Sequence, residues 1–462
     1  MPTRDYRHTR RAMLRAAGGG AVVGASGALA ACAAGAGGPP APARPADLKA
    51  ELRFMFFHDQ WKEAFDQVIK NFGEKYPNVT VTFETDPSYI QKVTTQLLAG
   101  AGPDVISINW DMLRTFSQYN YLYDLTPEAS KDKAFAADLG AYHPKIAALM
   151  KWDGKQKGVA LDHDDIAIYW NVSLFKRLQL RPLTDVQDKW TWDDALDIAR
   201  KLTDKSANQY GFYGLNTTGQ TGYWSFVYAN GGNVITDDGT KADPLLEPAA
   251  VEAIQWLTDL RVKHGVTPTD AEARTAVGST SAQTLFQNGK LGMLVDGSWR
   301  TNTFLTSIKD FEWDVAHIPL APRTGKRSSV VHGTGFGVNR DGRAVDAAVA
   351  FIKHLATRAT HHVYGSTGII QSARMDEWDG FYANPKPPAH RSVLKAAVDY
   401  AHQHPLTGQW GIIVYDAIIP VRDALAKVYT GEVPVKDGLQ SSVKAYDQLL
   451  ADQVAKLNTA KK

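Results

Sequence analysis

Three aspartates fall within four residues, in the run Asp162-His163-Asp164-Asp165. Clustered carboxylates beside an imidazole are the raw material of general acid–base work, such as glycoside hydrolysis. That reaction needs two carboxyls flanking one bond, about 5–5.5 or 6.5–9.5 Å apart, and neighbours in one short segment rarely face each other in that way. A different chemistry is offered where aromatic and polar residues adjoin. His58 and Asp59 follow the apolar run Leu52–Phe57, Trp110 and Asp111 follow Val105–Ile108, and Asp296 and Trp299 follow Leu291–Val295. Rings of this kind stack on the apolar face of a sugar, while carboxylates, amides and imidazoles take its hydroxyls. Asp59 and Asp111 also fit as caps of the helices after them, and Trp299 as a core residue. The pairs His361-His362 and His402/His404 lack a carboxylate at metal-binding spacing and read as surface histidines. There is no GxSxG elbow, zinc motif or Walker loop.

These residues need a scaffold that gathers the ends of several strands. Strand patterns at Leu52–Phe57, Val79–Phe83 and Val105–Ile108 alternate with helical patterns at 61–72 and 89–99, the βαβ rhythm of a parallel-rich sheet that binds ligands at its carboxyl ends. Val159–Leu161 and Ile166–Trp170 read as strands on either side of the aspartate run, which makes that run a connection between two lobes. Thr191 caps a helix reaching Leu202. Residues 285–299 predict a helix end, a turn at Asn288-Gly289, a strand from Leu291 to Val295, a break at Asp296-Gly297 and a new helix capped by Ser298.

A chain of 462 residues is long for one core, so two lobes are expected. Its formal charge is +2, but Arg4, Arg7, Arg10, Arg11 and Arg15 against Asp5 contribute +4, leaving −2 for the rest. That balance offers nucleic acid no electrostatic footprint. The 12 Trp and 18 Tyr suit sugar faces better than phosphates. Residues 1–31 read as a signal peptide whose Arg10-Arg11 pair fits the twin-arginine route. Cys32 is the sole cysteine, so no internal disulfide or cysteine metal site exists. The Gly/Pro/Ala stretch from Gly35 to Pro45 reads as a tether, within residues 32–50.

Leu29-Ala30-Ala31-Cys32 resembles a bacterial lipobox, which implies lipidation at Cys32 and an anchor on the outer face of the cell membrane. Further motifs follow in order: Pro103-Asp104-Val105, IYWNVSLFKRLQL from Ile168, Pro182, WTWDDALDIARKL from Trp190, Gly231-Gly232, Leu285–Trp299, and HGTGFGVN from His332. Together they resemble the extracellular solute-binding proteins of carbohydrate ABC transporters, including the maltose- and multiple-sugar-binding proteins. The resemblance implies an α/β, two-lobed periplasmic-binding-protein-like fold with a hinge and an interlobe ligand cleft. Lobe 1 would be 51–161 plus 319–369 and lobe 2 would be 162–318 plus 370–462, with crossings near Leu161-Asp162, Pro319 and Ile369-Ile370. It implies a non-catalytic monomer without cofactor or metal, whose partners are a sugar or oligosaccharide and a membrane permease. Ligand contacts are expected from His58, Asp59, Trp110, Asp111, Asp162, His163, Asp164, Tyr223, Trp224, Asp296, Trp299, Gly333, Thr334, Gly335 and Trp410. The same fold binding a phosphorylated polyol, through Arg300, Arg323 or Arg114, and a lipid-anchored glycosidase are the alternatives.

Overall fold

Side chains alternate along Ala50–Phe56 (β1) so that Leu52, Phe54 and Phe56 enter one core and Met55 another. A strand buried on both faces in this way must sit between two helical layers. The computed structural model describes residues 47–403 and 418–460. After β1 come Lys62–Lys75 (α1), Val79–Thr85 (β2), Tyr89–Leu98 (α2), Val105–Asn109 (β3), Met112–Gln118 (α3), Val159–Ala160 (β4) and Ile166–Asn171 (β5). They are followed by Trp192–Leu202 (α4), Tyr210–Tyr213 (β6), Tyr223–Ala229 (α5), Leu291–Gly297 (β7), Arg300–Ser307 (α6) and Trp313–Ala316 (β8). Thr334–Val338 (β9), Val345–Leu355 (α7), Arg358–Ser366 (α8) and Ser392–Tyr400 (α9) complete the elements that position the site.

One sheet has the order β2-β1-β3-β9-β4, parallel among β1, β2 and β3 and antiparallel at β9. The other has the order β8-β5-β7-β6, antiparallel except between β6 and β7. The first packs α1 and α7 against β1 through Phe54, whose ring lies 5.4 Å from Phe65 and 5.5 Å from Phe351. Edge-on pairs of this kind add to the burial of each ring.

The chain passes from the first sheet to the second between β4 and β5, and returns between β8 and β9, a connection that includes Pro319. A third segment, residues 371–373, runs beside the first of these passages. Asp162 bridges to Ser372 and Asp164 to His332, and the His163 N–H donates to the Gln371 carbonyl at 3.1 Å.

Two local expectations meet different outcomes. Thr191 accepts from the Asp194 N–H while Asp194 accepts from the Thr191 N–H, a reciprocal cap for α4. Ser298 caps nothing: β7 continues through Gly297, α6 starts at Arg300, and no side chain caps it. The Ser298 hydroxyl is instead taken by the passages between sheets. It donates to Asp164 Oδ1 at 2.9 Å and accepts from the Asp165 N–H at 3.2 Å and from Gln371 Nε2 at 2.5 Å.

Candidate functional site

Strand ends from both sheets meet at a cavity of about 450 Å³. Its wall on the first sheet carries Phe57 and His58 beyond β1 and Asn109 and Trp110 at the end of β3. The second sheet supplies Trp299 and Arg300 after β7, and a loop from Asn216 to Thr221 after β6. Asp164, His332 and Gly333, from two of the passages, lie between these walls. Carboxyl ends of strands in open α/β sheets gather ligand groups in this way.

Three rings form an arc across the cavity. His332 sits between the tryptophans, 5.4 Å from Trp110 and 6.0 Å from Trp299. Burial pulls the His332 imidazole down to about 3, so it is neutral at physiological pH. His58 is held at about 4 by the same cause and packs edge-on against Trp61. Among the described residues that line the cavity, Asp164 is the one carboxylate. Burial pushes it up to about 6, opposed by the hydrogen bond from Ser298.

Gly297 explains how Trp299 reaches this position. A Cβ there would lie 2.1 Å from the indole, so the ring folds back over a site that only glycine leaves open. Gly297→Ala is expected to displace the ring and to lower stability by about 1–3 kcal/mol. Thermal unfolding and tryptophan emission check this; an unchanged spectrum and melting temperature would refute it.

Of the residues expected to contact a ligand, His58, Trp110, Asp164, Trp299, Gly333 and Thr334 line the cavity. The other described ones do not line it. Asp59 is exposed, and neither it nor Asp111 makes a side-chain cap. Asp111 is buried, where its charge opposes the loss of charge on buried Arg114. Asp162 accepts from the Thr334 N–H at 2.6 Å, which turns that amide away from any ligand. His163 is fully buried, with Nδ1 3.0 Å from Asp165 and Nε2 3.0 Å from the Tyr382 hydroxyl. Asp296 accepts from Gln283 at 2.7 Å and lies 3.3 Å from Arg300, bracing the turn rather than facing the cavity.

Tyr223 and Trp224 are buried in the core. Trp224 packs under Gly219, where a Cβ would come within 2.1 Å of its indole nitrogen and φ is +81°. It therefore supports the 216–221 loop from beneath. A Cβ on Gly335 would strike the Val159 carbonyl at 2.3 Å, so that glycine serves close strand packing between β9 and β4. Trp410 and Cys32 lie outside the described residues, as does His404. His361, read as a surface residue, is fully buried with Nδ1 2.9 Å from Ser372, whereas exposed His362 pairs with Glu377.

Sequence reasoning did not single out Trp61, Thr218, Gln220, Thr221 or Thr303. Their one signal was position: Trp61 and the 218–221 residues follow strands β1 and β6, and Thr303 lies in the helix that follows β7.

The family described as bacterial extracellular solute-binding protein has a sequence model that matches residues 58–361. Proteins of Brucella abortus and Brucella suis described as binding proteins are 26% identical over 269 residues, 57% of this chain. The match spans 61% of those relatives' own length. A multiple sugar-binding protein of Streptococcus mutans is 23% identical, over 67% of this chain and 73% of that protein. Among solved structures, an ABC substrate-binding protein of Listeria monocytogenes in complex with cycloalternan superposes with a TM-score of 0.76 at 23% identity. That match covers 87% of this chain and 99% of the Listeria chain, and at this identity the likeness is one of fold.

Proposed function

The chain belongs to the bacterial extracellular solute-binding proteins, and on that premise we propose that it captures a sugar or oligosaccharide between its two sheets and delivers it to the membrane permease of an ABC importer. The observation that carries this reading is the arc of Trp110, His332 and Trp299, with rings from both sheets and a passage between them. A ligand stacked there touches both sides at once and favours whichever arrangement brings them together, so closure follows from binding. The sheets are then the cores of two lobes, 51–161 plus 319–369 and 162–318 plus 370–462. The binding relatives described for Streptococcus mutans and Listeria monocytogenes support the sugar class.

The alternatives find less support. A glycosidase needs a pair of carboxyls, and among the described residues the cavity lining offers Asp164 alone, with Asp162 engaged by Thr334 and Asp165 by His163. For a phosphorylated polyol, several free cations are wanted. Arg300 is paired with Asp296, Arg323 with Glu252 at 2.7 Å, and Arg114 is buried donating to the Trp110 carbonyl. Incubation with candidate oligosaccharides tests the receptor: saturable binding without product supports it, and turnover would sink it.

Asp164 gives the site a pH signature. A ligand hydroxyl bonded to its carboxylate loses charge assistance as pH falls through about 6, so affinity is expected to drop about fivefold between pH 7 and pH 5. Asp164→Asn abolishes that dependence. The sign for folding runs the other way. The folded pKa lies above the unfolded value, so this carboxyl favours folding at low pH and the contribution is lost as pH rises through about 6. Asp164→Asn therefore raises the melting temperature of the ligand-free protein at pH 8 and leaves it unchanged near pH 4; a flat affinity profile in the parent protein would overturn the assignment.

Export and anchoring belong to the same proposal. A signal peptide ending at Ala31, lipidation of Cys32 and a tether to residue 50 would hold the binding unit on the outer face of the membrane. Cys32→Ser is expected to release the protein into the medium; a variant that still fractionates with membranes would argue against the lipid.

A further inference from the structure

The cavity at the aromatic arc shares part of its lining with another. Gln60 and Trp61 line it and also line a second cavity of about 870 Å³. That second space is bounded by α1 on one side, by α6 on the other, and by the end of α8 and Lys386. Helix α6 serves both compartments, and α1 begins one residue after the shared Trp61. Arg300 and Thr303 of α6 face the first while Asn302 and Thr306 face the second, and α1 continues from the junction at Trp61 to Lys70. At about 1.5 Å per residue that reach is roughly 13 Å of further groove.

The second compartment is polar without being strongly charged. Glu63 and Asp66 are set against Lys70 and Lys386, and Lys62 pairs with Asp66. Gln67, Asn302, Thr306 and Thr367 supply amides and hydroxyls, which suit hydroxyl groups and give an anionic ligand no net attraction.

Building on the sugar-binding reading, we propose that the two compartments are one continuous site and that the ligand is a neutral oligosaccharide longer than a disaccharide. One end stacks on the half-buried ring of Trp299 at the arc, and the remainder lies in the groove between α1 and α6. The groove belongs to both sheets' helical layers, so a long chain contributes to closure at units that never touch the arc.

The test titrates the full mature chain with glucose, maltose, cellobiose, arabinobiose and galactobiose and with the tri-, tetra- and hexasaccharides of each series. In the series that binds, affinity is expected to rise at least tenfold from disaccharide to tetrasaccharide. Thr306→Trp and Gln67→Trp, both at exposed positions, should erase that gain and leave disaccharide affinity within about twofold. The unchanged disaccharide affinity also shows that the variants are folded. Equal affinity for short and long members, or a length gain that survives both substitutions, would overturn the extended site while leaving the sugar reading intact. Binding by no saccharide of any length would overturn the sugar reading itself, and the extended site with it.

Discussion

Trp299→Ala is expected to weaken sugar binding by at least about 30-fold, the effect of losing roughly 2 kcal/mol at a central aromatic anchor. Stacking on one ring contributes about 0.5–1.5 kcal/mol beyond the area it buries, and truncation also leaves the ligand's apolar face against water. Trp299 is the ring of the second sheet in the arc, facing His332 edge-on at 81°. It is half-buried in the ligand-free protein, whereas Trp110 and His332 are buried. The ring therefore has surface to give to a ligand, and its loss should lower the melting temperature of the empty protein by only a few degrees. Titration calorimetry against the preferred sugar, paired with thermal unfolding, reads both effects. A large loss of stability with unchanged affinity would return Trp299 to the core.

His163→Ala should produce the largest change in stability, about 3–5 kcal/mol at pH 7. Asp165 and His163 are both fully inaccessible, and Asp165 Oδ2 receives its hydrogen bond from His163 at 3.0 Å. Burial pushes the Asp165 carboxyl up, and the imidazole beside it holds it down. Removing the imidazole leaves a buried carboxyl without that donor and opens a void against Tyr382, which is also bonded to Gln371 at 3.2 Å. This network joins the first passage between the sheets to the third, so the loss falls on the segment about which the lobes are proposed to turn. Urea unfolding of His163→Ala and His163→Gln separates the causes. The Gln variant, which keeps a donor, should recover part of the loss; a change below about 1 kcal/mol in the Ala variant would contradict the account.

The first sheet was largely legible in the sequence. The apolar run of β1, the alternation of β2, the helical period between them and the Gly102-Pro103-Asp104 break before β3 all act over short range, and each element falls within a few residues of its expected bounds. The site was less so, for a physical reason. A polar residue at a strand end looks the same whether it faces a ligand or braces the fold, and the difference lies in partners far along the chain. Asp162 is engaged by Thr334, Asp164 by Ser298, and the His163 carbonyl by Gln371. Ser298 shows the same limit: its local context reads as a cap, and its hydroxyl answers to contacts more than a hundred residues away. Trp224 was placed at the cleft by resemblance, and only the clearance at Gly219 reveals that it lies beneath the loop.

The central claim is that the cavity between the two sheets binds a neutral sugar. It is met most directly by thermal-shift measurement of the full mature chain against a saccharide panel with glycerol phosphates alongside. A ligand held only by the native state at one hundred times its Kd adds about 2.7 kcal/mol of stability. The account predicts a rise of several degrees with one saccharide series, absent in Trp299→Ala, and none with glycerol phosphates. A rise with a glycerol phosphate and with no saccharide would contradict it.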